Sequence, residues 1–117
     1  MSESIIREKS FNFSIQIIAL YKIMLSQKEY VLSKQLLKSA TSIGANVEEA
    51  LAGQSRKDFI AKMAIASKEA RETKYWLLLI EKSNLIEIDV SKHLINIEEI
   101  IRLLTSIVKT SQFKQNN

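Results

Sequence analysis

If this chain performs chemistry, the acidic residues gathered in its middle third are the first candidates. Asn46, Glu48 and Glu49 stand together, and helical spacing puts Glu69, Glu72 and Trp76 on one flank of a helix. Paired carboxylates can move protons or hold a divalent cation. The same residues can form a hydrogen-bond network that fixes helix register, with the Trp76 N–H and Asn46 as members. The structural reading is preferred, because no activated nucleophile accompanies the acids. Gly44 and Gly53 are isolated, so no glycine-rich phosphate loop exists. The one histidine, His93, follows Ser91 and Lys92 and lacks the Glu-x-x-His pairing of a di-iron bundle. Position 88 is Ile, so the Arg-x4-His signature of helical-bundle ribonucleases is also missing. The absence of cysteine removes thiolate chemistry and cysteine-held metals. The expectation is a protein that is not an enzyme, with no cofactor and no metal.

A second constellation is basic. Lys57, Lys68, Arg71 and Tyr75 align within about 60° on one helix face, with Ala61 and Ala64 between them. Arg56, Lys62 and Lys74 extend the positive surface to either side. Cations with small spacers suit phosphates, and a tyrosine ring can stack on a base. The alternative is a solvated face neutralised within the helix by Glu69 and Glu72.

The elements that must position these groups are helices. The 117 residues amount to one domain, 46% hydrophobic and 26% charged, with no proline and two glycines. Hairpin turns have almost no raw material, whereas helical periodicity runs along nearly the whole chain. Four segments are predicted, at about 9–28, 33–52, 56–83 and 90–110, with a polar tail at 111–117 that frays. Ser33 is the expected N-cap of the second, and Ser55 with Asp58 opens the third. Gly44 implies a close helix crossing, and Gly53 lies just past a helix end. Short connections make this an all-α, antiparallel up-down-up-down four-helix bundle. In the first segment Phe11, Ile15, Ile18 and Leu25 form one apolar stripe, and Phe13, Ile17, Leu20 and Met24 a second. In the fourth, Ile100, Leu103 and Ile107 widen the row of Leu94, Ile97, Ile101, Leu104 and Val108. Both helices are more apolar than one interior needs, which predicts a homo-oligomer. The longest uncharged stretch, 10–21, is too short to span a bilayer, and the N-terminus lacks the build of a signal peptide. A cytoplasmic protein without membrane contact is expected. A net charge of +4 and a pI near 9.4 lean weakly towards a polyanionic partner.

Three runs of sequence carry a resemblance. They are Ser42-Ile43-Gly44-Ala45-Asn46-Val47-Glu48-Glu49-Ala50, then Gln54-Ser55-Arg56-Lys57-Asp58-Phe59, then Ile65 through Leu77 (IASKEARETKYWL). In order and spacing they resemble the four-helix-bundle proteins of the 23S rRNA intervening-sequence family, relatives of the accessory protein of diversity-generating retroelements. The resemblance implies a homopentameric barrel with a central channel. It also implies RNA as partner, since such reading frames lie inside insertions in bacterial large-subunit rRNA genes. The accessory-protein relatives bind nucleic acid and a reverse transcriptase through basic surface. By matching position, Asn46, Glu48, Ser55, Phe59, Glu69, Glu72, Tyr75 and Trp76 carry the signature, and they read mainly as structural. The function expected is a non-enzymatic, homo-oligomeric scaffold that binds RNA through Arg56, Lys57, Lys62, Lys68, Arg71, Lys74 and Tyr75. The alternative is a protein-interaction adaptor for a nucleic-acid enzyme such as a reverse transcriptase.

Overall fold

With no proline to interrupt them, the apolar rows run on as long helices. The computed structural model describes residues 2–116, as α1 (Ser2–Ser26), α2 (Leu32–Ala52), α3 (Arg56–Ser83) and α4 (Ser91–Asn116). No strand occurs among the described residues. Each helix packs on its neighbours in sequence, α1 closes against α4, and the backbones of the diagonal pairs stay apart. Every seam carries one ion pair. Arg7 meets Glu48 at 2.7 Å, Lys62 meets Glu49 at 3.0 Å, Lys9 meets Glu99 at 2.5 Å, and Lys74 meets Glu98. The residue numbers rise on one helix as they fall on the next, so neighbouring helices run in opposite directions. These pairs are half-exposed and add little to stability; they mark register. Cohesion comes from the interior, where Phe13, Ile17, Leu36, Ile43, Met63, Leu77, Ile97 and Leu104 are fully buried or nearly so. Each such side chain is worth roughly 1.5–3 kcal/mol.

The helix ends depart from the sequence expectation in three places. First, α1 begins at Ser2, not near Lys9. The buried row continues from Phe13 back through Ser10 to Ile6, and Ser10 hides its hydroxyl by donating to the Arg7 carbonyl at 3.2 Å. Second, Ser33 does not cap α2. The Glu29 carboxylate accepts from the amides of Val31 and Leu32 at 3.0 Å and of Ser33 at 2.6 Å. Ser33 is buried in the first turn and donates to the Glu29 carbonyl at 2.8 Å. Third, α4 runs through Ser111 to Asn116, where the tail was expected to fray, and Ser111 is buried.

Elsewhere, Ser55 Oγ accepts from the Asp58 amide at 3.0 Å and opens α3. Asn84, left-handed at φ 52°, ends it. Gly53 follows α2 with extended backbone, φ −66° and ψ 152°. A Cβ there would make the Asp58 carboxylate shift and would sit 3.2 Å from the Ala50 carbonyl oxygen. Gly44 faces Ser10 and Ser14 of α1, and a Cβ there would rest 3.5 Å from the Ser10 carbonyl oxygen. At one end of the bundle, Gln27 Nε2 donates to the Glu87 carbonyl at 2.8 Å and Gln27 Oε1 accepts from the Glu87 amide at 3.1 Å. This ties the α1–α2 turn to the α3–α4 turn.

The two wide apolar faces fare differently. On α1, Phe11, Ile15 and Ile18 remain 62%, 52% and 41% exposed. On α4, Ile100 and Ile107 join the core and Leu103 is half-buried, so the second row is consumed inside the bundle. Only Ile95 and Phe113 of α4 stand out as exposed large apolar side chains.

Candidate nucleic-acid interface

The central acids do not come together as a reactive cluster. Glu48 and Glu49 turn to opposite seams, each neutralised by a cation of the neighbouring helix. Pairing with Glu49 in turn raises the pKa of Lys62. The carboxylates of Glu69 and Glu72 have no hydrogen-bond or ion-pair partner among the described residues. Asn46 donates to the Ser42 carbonyl at 2.9 Å, and the buried Trp76 Nε1 has no partner. The expected network of Asn46, Trp76 and the two glutamates is therefore not formed. A different buried pair ties α2 to α3, with Thr73 Oγ1 and Ser39 Oγ at 2.9 Å. Among the described residues, no three His, Asp or Glu side chains converge as a metal site would need.

The basic residues of α3 divide by height around the helix. Lys62 leans to α2 and Lys74 to α4, both inside seam ion pairs. Arg56 lies over the half-buried Phe59 ring, 5.8 Å from its centroid. Lys57 and Lys68 point outward with no carboxylate at ion-pair distance among the described residues, and Glu72 does not pair with Lys68. Tyr75, 55% exposed, packs edge-on against Trp76 with centroids 5.2 Å apart. Arg71 reaches across to α4 and donates to Thr105 Oγ1 at 3.2 Å, a neutral partner that leaves its charge intact.

Two cations of α4 escaped the sequence reading. Arg102 and Lys109 line the groove between α3 and α4 with Arg71, and no carboxylate lines it. A signal existed: Arg102 and Lys109 are seven residues apart, hence on one helix face. The sequence could not say which helix would lie beside them. Glu98 marks the end of this run. Its carboxyl is held below the ordinary range by the hydrogen bond from Lys74, with Arg102 and Arg71 adding to the effect against partial burial. Together α3 and α4 hold eleven Lys and Arg against six Asp and Glu, while the rest of the chain has six against seven. The whole positive excess thus lies on two adjacent helices.

The sequence profile of the 23S rRNA-intervening sequence protein family matches residues 2–106. Among solved structures, the chain is similar to a protein of unknown function from the S23 ribosomal protein family of Bacteroides thetaiotaomicron VPI-5482. The two are 46% identical with a TM-score of 0.88, over 93% of this chain and 99% of that one. No curated protein matches.

Proposed function

The chain belongs to the 23S rRNA-intervening sequence protein family, and from that premise we propose that it is a non-enzymatic, homo-oligomeric scaffold that binds RNA through the basic surface of α3. The observation that carries the reading is the outward placement of Lys57 and Lys68, unneutralised, beside Arg71 and the exposed Tyr75. Cations held this way are free to replace the counterions of a phosphate backbone. Homo-oligomerisation is supported by the uncovered α1 stripe of Phe11, Ile15 and Ile18. The pentamer follows from the family resemblance. Repetition of a weak site around a ring raises its avidity without any new contact.

The test is fluorescence anisotropy with a structured rRNA fragment, with duplex DNA as comparator. Exchanging Lys57, Lys68 and Arg71 for Glu is expected to weaken RNA binding at least tenfold while the helical circular dichroism is unchanged. Unaltered affinity would remove this face from the function. The adaptor reading has its own support in Tyr30, Val31 and Leu85, exposed at the end where Gln27 joins the two turns. It predicts that one stoichiometric protein partner stays bound after nuclease treatment.

A further inference from the structure

We infer that the α3–α4 groove is built for a single-stranded polynucleotide, with successive phosphates on Arg102, Arg71 and Lys109 and bases stacked on Tyr75 and Phe113. This rests on the reading of the protein as a nucleic-acid binder and assigns the strand a path that the outward face of α3 does not supply. The groove, of roughly 570 Å³, is lined by Arg71, Arg102, Thr105, Ser106, Lys109 and Thr110, with Ile101 at its floor. Three cations and three hydroxyls line it and no acid does; Arg102 has Glu98 4.0 Å away just beyond the groove, a loose, exposed pair that a phosphate oxygen can replace.

The cations form a ladder. Thr105 lies three residues beyond Arg102 and four before Lys109, and Arg71 is hydrogen-bonded at the Thr105 level. At 1.5 Å per residue the rungs are about 4.5 and 6 Å apart along the axis. This backbone interval is of the order of one nucleotide step, so one strand laid along the groove would pass the three cations in turn. The bond to Thr105 uses one of the five Arg71 donors and biases the guanidinium toward the groove before binding.

Aromatic rings stand at both ends. Tyr75 is one turn beyond Arg71, on the side where Lys74 closes off Glu98. Phe113, 69% exposed, is one turn beyond Lys109 on the same stripe of α4 as Arg102. A positive groove with an exposed ring beyond each end suits an unpaired strand, whose bases are free to stack on protein. In a duplex the bases already stack on one another.

Labelled single strands of about fifteen nucleotides, in RNA and DNA form, and an RNA duplex of equal length would be titrated across salt by anisotropy. Single strands are expected to bind more tightly than the duplex. Joint Arg102→Gln and Lys109→Gln substitution should lower single-strand affinity at least tenfold and flatten the log–log salt slope by about 1.4, the loss of two phosphate contacts. Arg102→Lys should keep the slope. Tyr75→Ala or Phe113→Ala should weaken binding roughly tenfold at unchanged slope, since stacking releases no counterions. Binding that survives the two glutamine exchanges but is lost with Lys57→Glu and Lys68→Glu overturns the groove and leaves the RNA reading standing. Tighter binding to the duplex overturns the single-strand assignment. Failure of the unsubstituted protein to bind any strand at low salt overturns both.

Discussion

Glu29 shows how much one side chain can hold at a helix end. Burial alone would raise its pKa, but the amides of Leu32, Ser33 and Val31 favour the charged form and hold it below the ordinary value of 4.5. A folded pKa below the unfolded one means the stabilisation is complete above about pH 4.5 and lost as pH falls through the folded value. Glu29→Ala should cost about 2 kcal/mol near pH 7, and the difference should shrink near pH 3. Urea melts at the two pH values decide it; an equal cost at both would show that the charge is irrelevant. Gly44 gives the opposite sign. A Cβ there meets the Ser10 carbonyl and Ser14 hydroxyl at ordinary contact distance, 3.5 Å. Gly44→Ala is therefore expected to stabilise by up to about 1 kcal/mol through helix propensity, while Gly44→Leu should lower Tm by overfilling the crossing.

At the level of the helices, the sequence was read well wherever apolar residues recur without interruption and poorly wherever a hydroxyl stands in the row. Ser10 and Ser111 occupy core positions yet count as polar, so the sequence pattern starts α1 too late and ends α4 too early. Buried Ser10, Ser33 and Ser39 each donate back to a carbonyl three or four residues earlier, so the helix satisfies them itself, while Thr73 donates to Ser39 Oγ across the seam. Ser33 reads as a cap because the true cap, Glu29, sits in a stretch that reads only as a polar break. The Ser55 cap was legible because its partner, the Asp58 amide, lies within the same turn. The basic face of α3 was legible for a similar local reason. The contribution of α4 was not, since Arg102 and Lys109 acquire meaning only from the helix packed beside them. The α1 stripe makes a prediction at this scale. If this stripe mediates the proposed self-association, Phe11→Ser with Ile15→Ser should lower the mass seen in light scattering without lowering helical content, because neither side chain supports the core. An unchanged mass would remove this stripe from any self-association.

For the molecule as a whole, what matters is where its charge sits. Because the positive excess belongs to α3 and α4, equal changes of net charge should have unequal effects on polyanion binding. Glu72→Lys on the outward face of α3 should tighten RNA binding severalfold, whereas Glu8→Lys on α1 should leave it within about twofold. Equal effects would mean that total charge governs association. The bundle's far end holds a different kind of coupling. Glu87 lies outside any helix, and such an amide ordinarily trades its proton with solvent quickly. Here it is held by the Gln27 side chain, sixty residues away in sequence. Its hydrogen–deuterium exchange is thereby gated by the opening of the α1–α2 turn, so the two turns should exchange as one cooperative unit. Gln27→Ala would divide that unit into two with independent rates.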